Sequence, residues 1–250
     1  MSEQVRFDIR EGERLDDLQL SSLFILQKKD GFCFGLDAVA LADFAGVRPH
    51  DRVADLGAGT GIISLLLFGR EKTAVFDDVE IQRDMADMAE RSAAGNGLAS
   101  VIKVHCLDIK ACAGVLPKGA YSLVVSNPPY ERAEEGTPPA QTALRVALRE
   151  EACDFSDVAR CAAALLRFGG RFAFCLPASR LCEAIDTLER FHLTIKRLRF
   201  VHGKAEKPAY LLLMEAVRGA RPGLTVLPPL IAKEADGSDS GQIRRMYHMP

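Results

Sequence analysis

Short apolar runs alternate with longer helix-like stretches through the middle of this 250-residue chain, and that alternation limits the fold more than any other feature. Residues 52–56, 73–79, 101–105, 121–126 and 171–176 read as strands. Apolar spacing predicts helices over 62–69, 82–96 and 178–191, and another from Asp154 or Ser156 to Phe168. Continuous apolar strands separated by helices build a parallel sheet covered on both faces. The last two strands, 194–201 and 209–217, are joined by seven residues, too few for a helical crossover, so they must pair antiparallel. The expectation is an α/β fold with a mostly parallel sheet and one reversed strand at its C-terminal end.

Around this unit, residues 1–50 read as a short N-terminal extension. It holds a hairpin-like lid (5–9 with 23–27) and a helix over 37–45. Residues 51–220 form the main domain and 221–250 a C-terminal tail, in which 232–241 is rich in Gly, Ser and Asp and the last residues are expected to be loosely held. The segment 131–142, with Gly136, Pro138 and Pro139, reads as a mobile loop.

Composition removes several classes. No apolar run approaches the roughly 20 residues that span a bilayer. The first residues lack the apolar core of a secretory leader. Seven scattered cysteines, with no C-x-x-C pair, fit reduced thiols in a cytoplasm and argue against a zinc site. A net charge of −2 excludes a polybasic protein but conceals asymmetry. Asp77 to Glu90 holds six acids and one arginine, whereas Arg190 to Lys207 holds six cations and one acid. The basic stretch is either a solvated surface hairpin or a phosphate-contacting face, with Lys196, Arg197, Arg199 and Lys204 as its candidates.

Two motifs carry chemistry. Asp55-Leu-Gly57-Ala-Gly59-Thr-Gly61 follows a strand and opens a helix. Glycines there let a ligand approach the backbone, and the helix start offers free N–H groups. The spacing differs from the dinucleotide fingerprint, and no P-loop lysine follows. Glu80 lies 19 residues beyond Gly61 at the next strand end, close to where an acid holds ribose hydroxyls. The second motif, Ser126-Asn127-Pro128-Pro129-Tyr130, directly follows an apolar strand, and its two prolines stiffen an extended backbone. It reads either as a strand-ending turn or as a cradle for a planar NH2 group. In the second reading an amide oxygen and a main-chain carbonyl accept its hydrogens, and Tyr130 supplies a stacking face.

In this order and on successive strand ends, the glycine loop, Glu80 and Asn-Pro-Pro-Tyr resemble the class I S-adenosylmethionine methyltransferases that modify exocyclic or amide nitrogens. Three further stretches resemble the bacterial tRNA(Val) adenine-N6 methyltransferases, which act beside the anticodon: Gly31-Phe-Cys-Phe-Gly-Leu-Asp37 running on to Phe44, Arg199-Phe-Val-His-Gly-Lys204, and Leu227-Pro-Pro-Leu230. The resemblance implies a single seven-stranded Rossmann-like domain of strand order 3-2-1-4-5-7-6, S-adenosylmethionine as cofactor and tRNA as partner. It implies that Asp55, Gly57, Gly59 and Gly61 cradle the methionine part of the cofactor and that Glu80 binds its ribose. Asn127, Pro128, Pro129 and Tyr130 would be catalytic. Asp108 faces the cofactor adenine or caps a helix, and Asp37 contacts cofactor or caps the helix that follows it. The chain departs from the family in having Leu148-Arg149-Glu150 where Arg-His-Glu is usual. It also departs in placing Asp77-Asp78 where an apolar, glycine-containing strand end is expected.

Other acceptors share this chemistry: a release-factor glutamine, a ribosomal-RNA guanine or a DNA adenine. A non-catalytic RNA-binding module is the alternative from another class, and the intact glycine loop and Asn127 speak against it.

Overall fold

The computed structural model describes residues 7–30, 35–128 and 154–247. Four strands, β3 (Arg52–Leu56), β4 (Val75–Glu80), β5 (Ile102–Cys106) and β6 (Tyr121–Ser126), lie parallel, as does most of the long β7 (Leu166–Pro177). β9 (Ala209–Arg218) is antiparallel to both of its neighbours, β7 and β8 (Leu193–His202). The order β5-β4-β3-β6-β7-β9-β8 is 3-2-1-4-5-7-6 when these strands are counted in sequence, the expected topology. The strand count differs. Two-residue strands β10 (Thr225–Val226) and β11 (Leu230–Ile231) pair in parallel along the outer edge of β8, giving nine strands rather than seven.

Alternation along the strands divides two cores. Val53, Phe76, Leu123, Val125 and Cys175 face α1 (Leu36–Ala45) and α2 (Ile62–Arg70). Ala54, Leu56, Val124, Phe172 and Phe174 face α4 (Ile109–Val115), α5 (Phe155–Leu165) and α6 (Leu181–Arg190). α3 (Arg83–Gly95) buries its alanines and Met88 and turns charged residues toward the N-terminal hairpin.

The hairpin pairs β1 (Glu13–Asp17) with β2 (Phe24–Lys28), so its first strand is not 5–9 as expected. Arg91 of α3 reaches back to Glu13 and Asp87, which ties the hairpin to the domain rather than leaving it a lid. α5 ends at Leu165 instead of Phe168, because β7 begins at once. Asp154 caps it, accepting from the Asp157 N–H at 2.8 Å. The helix predicted from 178 starts as one 3₁₀ turn (Ala178–Arg180) before α6.

The tail expected to be loose is docked. Leu230 is fully buried, Ala232, Ile243 and Met246 join the first core, and α7 (Gly241–Met246) is capped by Ser240. Composition misled there because four apolar side chains outweigh a polar turn. Leu230→Ala is expected to cost about 2–5 kcal/mol of unfolding free energy. An unchanged denaturant midpoint would show that the tail adds nothing to the core.

A buried ionic network joins these layers. Arg171 on β7 donates to the Ala45 and Gly46 carbonyls at the end of α1 (2.6 and 3.1 Å) and to Asp51 (2.9 Å), and it lies 3.3 Å from Glu215 on β9. Glu215 in turn accepts two bonds from Arg197, both 2.9 Å.

Candidate active site

The chain leaves β3 toward β4 on one side and returns to β6 on the other. The carboxyl ends of β3 and β6 therefore flank the switch point where open α/β sheets bind ligands. Ser126 fixes their spacing by donating its hydroxyl to the Leu56 carbonyl at 2.7 Å. The glycine loop and Asn127 consequently emerge side by side.

The loop's glycines have φ of +80° (Gly57), +57° (Gly59) and +84° (Gly61), a region other residues rarely adopt. The N–H groups of Gly57 and Ala58 both donate to the Val79 carbonyl, at 2.9 and 3.0 Å, lashing the loop to β4. Added Cβ atoms at Gly57 and Gly59 would meet nothing within 4 Å. Backbone conformation, not crowding, selects glycine there and leaves open space above the loop. Gly61 starts α2 without a side-chain cap.

Glu80, at the end of β4, is buried. Its carboxylate accepts from the Gly59 N–H at 2.9 Å and from the Gln82 N–H at 2.8 Å. It joins the loop to the start of α3 at the position predicted for a ribose-binding acid.

Three further acids lie beneath. Asp55 has no exposed surface, and neither of its carboxyl oxygens has a hydrogen-bond partner among the described residues. Burial, then the neighbouring Asp78 and Glu80, push its carboxyl well above the usual range. Asp78 pairs with Asp55 in register on the adjacent strand, so both side chains lie on the same face. It accepts the Ser64 hydroxyl at 2.5 Å, and burial raises it to about 7 against the pull of that bond. Asp77 lies on the opposite face and is fully engaged, accepting from Tyr121 (2.8 Å) and Arg52 (3.0 Å) and pairing with His105 (2.9 Å). Burial pushes its carboxyl up, but these three partners outweigh that and hold it below its ordinary value.

Asn127 is half-buried, and its Oδ1 accepts the Cys175 thiol at 3.1 Å. Pro128 beside it is buried. Pro129, Tyr130, the segment 131–142 and Leu148-Arg149-Glu150 lie outside the described residues.

The remaining predicted residues separate. Asp108 caps α4, accepting from the Lys110 N–H at 2.8 Å. Asp37 is not a cap: Gly35 precedes the helix, and Asp37 sits in its first turn, where burial raises its carboxyl. Arg197 is committed to the fold. Besides Glu215 it donates to the Phe44 carbonyl at 2.8 Å and lies 4.6 Å from the centre of the Phe44 ring. Lys196, Arg199 and Lys204 rest on tail carbonyls of Arg221, Pro228 and Ala235, at 3.1–3.2 Å, near the surface. The four basic residues do not form one face. Sequence reasoning passed over Ser64 and Cys175 and gave Ser126, though part of the second motif, no role; all three position the predicted residues, and nothing in a lone serine or cysteine marks such a role. Among the described residues no group of His, Cys, Asp or Glu is arranged to hold a metal, and no helix is long and apolar enough to cross a membrane.

Sheet order, a glycine loop at the switch point and an Asn-Pro turn at the adjoining strand end together define a Rossmann-like methyltransferase. Residues 39–149 match the family model described as a methyltransferase small domain. The chain is 32% identical over 173 residues to the tRNA1(Val) (adenine(37)-N6)-methyltransferase of Pedobacter heparinus, covering 69% of this chain and 71% of that one. It is 28% identical over 211 residues to the enzyme of the same name from Pectobacterium carotovorum, covering 82% of each. The chain belongs to the tRNA1(Val) (adenine(37)-N6)-methyltransferase family. The solved structure of a predicted O-methyltransferase from Agrobacterium tumefaciens superposes with a TM-score of 0.69 at 23% identity, covering 85% of this chain and 96% of that one. At that identity the likeness concerns the fold alone.

Proposed function

We propose that this chain transfers a methyl group from S-adenosylmethionine to N6 of adenine 37 in tRNA1(Val), the reaction its relatives' names state. The observation that carries this reading is the Ser126–Leu56 hydrogen bond. It holds an amine-binding Asn127 and a ligand-ready glycine loop at neighbouring strand ends.

The residues fit the cofactor. A buried carboxylate with two orphaned oxygens calls for a cation, and Asp55 is such a group. The open space over Gly57 and Gly59 and the uncapped start of α2 suit a bound carboxylate and its chain. Glu80 already offers two oxygens beside the loop, where ribose hydroxyls would replace its bonds to Gly59 and Gln82. Asp37, freed from capping, and Asp108, through the rim of its cap, are the outer candidates. When bound, the cofactor supplies an electrophilic methyl on a sulfonium.

Catalysis by the chain is then largely positioning. The Asn127 Oδ1 and the adjoining main-chain carbonyl accept the two hydrogens of the amine, which directs the nitrogen lone pair outward. Cys175 restrains the amide by donating its thiol to the same oxygen. Pro128 and Pro129 stiffen the turn, and Tyr130 stacks on the extruded base. No covalent intermediate is required.

For the RNA, Lys196, Arg199 and Lys204 are the phosphate-contacting candidates, whereas Arg197 is structural. The triple alanine variant of those three should weaken tRNA binding and lower the salt slope by about one for each lost contact. A slope equal to wild type would remove them from the interface. The function itself is tested by labelled methyl transfer to unmodified tRNA, ribosomal RNA, DNA and release factor, followed by nucleoside analysis. N6-methyladenosine in one tRNA is expected. Label in protein or in guanine would overturn the acceptor and keep the chemistry.

A further inference from the structure

We propose that Asp55 and Asp78 act as one carboxyl pair that holds a proton in the free protein and releases it to solvent when the cationic methyl donor binds. This rests on the cofactor reading above. It adds a role for Asp78, which stands where the family resemblance leads one to expect an apolar or glycine residue.

The geometry is that of a pair. The two residues face each other in register across β3 and β4, and each has no exposed surface. Among the described residues three of their four oxygens lack a partner, and the fourth accepts the Ser64 hydroxyl. Asp78 Oδ2 points up at the loop: a Cβ on Gly61 would sit 3.3 Å from it. Two like charges at such a site cannot both persist without a counter-charge.

Every described element packed on the pair withholds one. α2 contributes the neutral Ser64, and α3 presents the Ala89 methyl near Gly61. The charged residues of α3 face the hairpin, where Asp84, Asp87 and Arg91 pair with Lys28, Arg10 and Glu13. β5 places Val104 next to Asp78, and β6 places Val125 next to Asp55. His105 and Arg52 are spent on Asp77 across the sheet. The remaining neighbours on β4, Asp77 and Glu80, are acids that raise the cost further. The free protein therefore meets the site's charge with a proton, and the bound cation substitutes for it. The balance is one proton out for one positive charge in. If the displacing charge is the sulfonium, methyl transfer removes it and the pair takes a proton back from solvent; if it is the ammonium, the proton returns only when the product leaves.

The test is calorimetry of S-adenosylmethionine and S-adenosylhomocysteine binding, in two buffers of different ionisation enthalpy. The wild-type protein should release a large part of one proton on binding S-adenosylmethionine near pH 6.5. Its affinity should rise by up to about tenfold per pH unit on the acid side of neutrality. Release with both ligands would assign the displacing cation to their shared ammonium, and release with S-adenosylmethionine alone to the sulfonium. Asp78→Asn, nearly isosteric, should release clearly less proton than wild type, because only Asp55 remains to hold one. Its free protein should also show a smaller fall in thermal stability than wild type as pH rises from the ordinary aspartate range to about 7. The sign follows from a folded-state carboxyl that binds its proton more tightly than the unfolded one. Binding without proton release, or release undiminished in Asp78→Asn, overturns the pair alone. Failure of either ligand to bind wild type overturns the cofactor reading and the pair with it.

Discussion

Asn127→Ala is expected to lower methyl transfer by about two to three orders of magnitude, the usual cost of removing one preorganised group aimed at the reacting centre. Cofactor affinity should stay within a few-fold of wild type, because the glycine loop is held by Val79 and Glu80 and not by Asn127. The fold should also survive. The Ser126 hydroxyl and the β6 ladder fix the strand end. Single-turnover transfer with saturating tRNA, run beside calorimetry of the cofactor, separates these expectations. Transfer within tenfold of wild type would mean that the amine is oriented by other atoms. Loss of cofactor binding would mean that Asn127 supports the loop. Asn127→Asp is the informative companion: it keeps the Oδ1 acceptor but replaces the amide nitrogen with a second oxygen and adds a charge beside the Cys175 thiol, and should recover little activity.

The largest stability effect is expected at Arg171→Ala. Its guanidinium is 5% exposed and serves the end of α1 through two carbonyls, the loop before β3 through Asp51, and β9 through Glu215. Removing one partner of a buried ionic network strands the others, at a cost of about 3–5 kcal/mol. Melting should fall by roughly 10 °C or more for a domain of this size. Arg171→Lys should recover little of this, since one ammonium cannot reach four acceptors set around a planar fork. A melting temperature within 2–3 °C of wild type, itself about one kcal/mol, would show that water or rearranged side chains satisfy those groups. Arg197→Ala should act in the same direction but less, because Arg171 still answers Glu215.

The sheet could be read from the chain because its information is local: apolar runs, helical spacing, and a seven-residue connection that permits one pairing. The glycine loop and the Asn-Pro turn were legible for the same reason, since φ and ring constraints act on the residue that carries them. What depends on distant partners was not legible. Arg197 looked like a phosphate ligand until its neighbour Glu215 and the Phe44 ring were in place. Asp37 looked like a cap because an acid preceded a helical run, but the helix opens one residue earlier. Asp108 carried two readings, and the one whose partner lies two residues away is visible in the fold. Asp78 was noticed only as an oddity of strand composition. Its place beside Asp55 depends on the register between β3 and β4. The tail failed the composition test because burial is decided by a few apolar side chains and not by the average of a segment.

The two borders of the large sheet are unlike. On one side β10 and β11 pair with Arg197, Leu198, Val201 and His202 of β8, so part of that strand's outer backbone is already answered by the chain itself. On the other side the sheet stops at β5, five residues whose middle includes Lys103 and whose end is the exposed Cys106. A second polypeptide seeking to extend the sheet by strand addition thus has one border to choose, and there it meets a short run marked by a charged side chain, a common deterrent to such growth. Shortening the tail would expose the longer, more apolar border of β8 instead. The last strands of the chain thereby double as a guard against self-association.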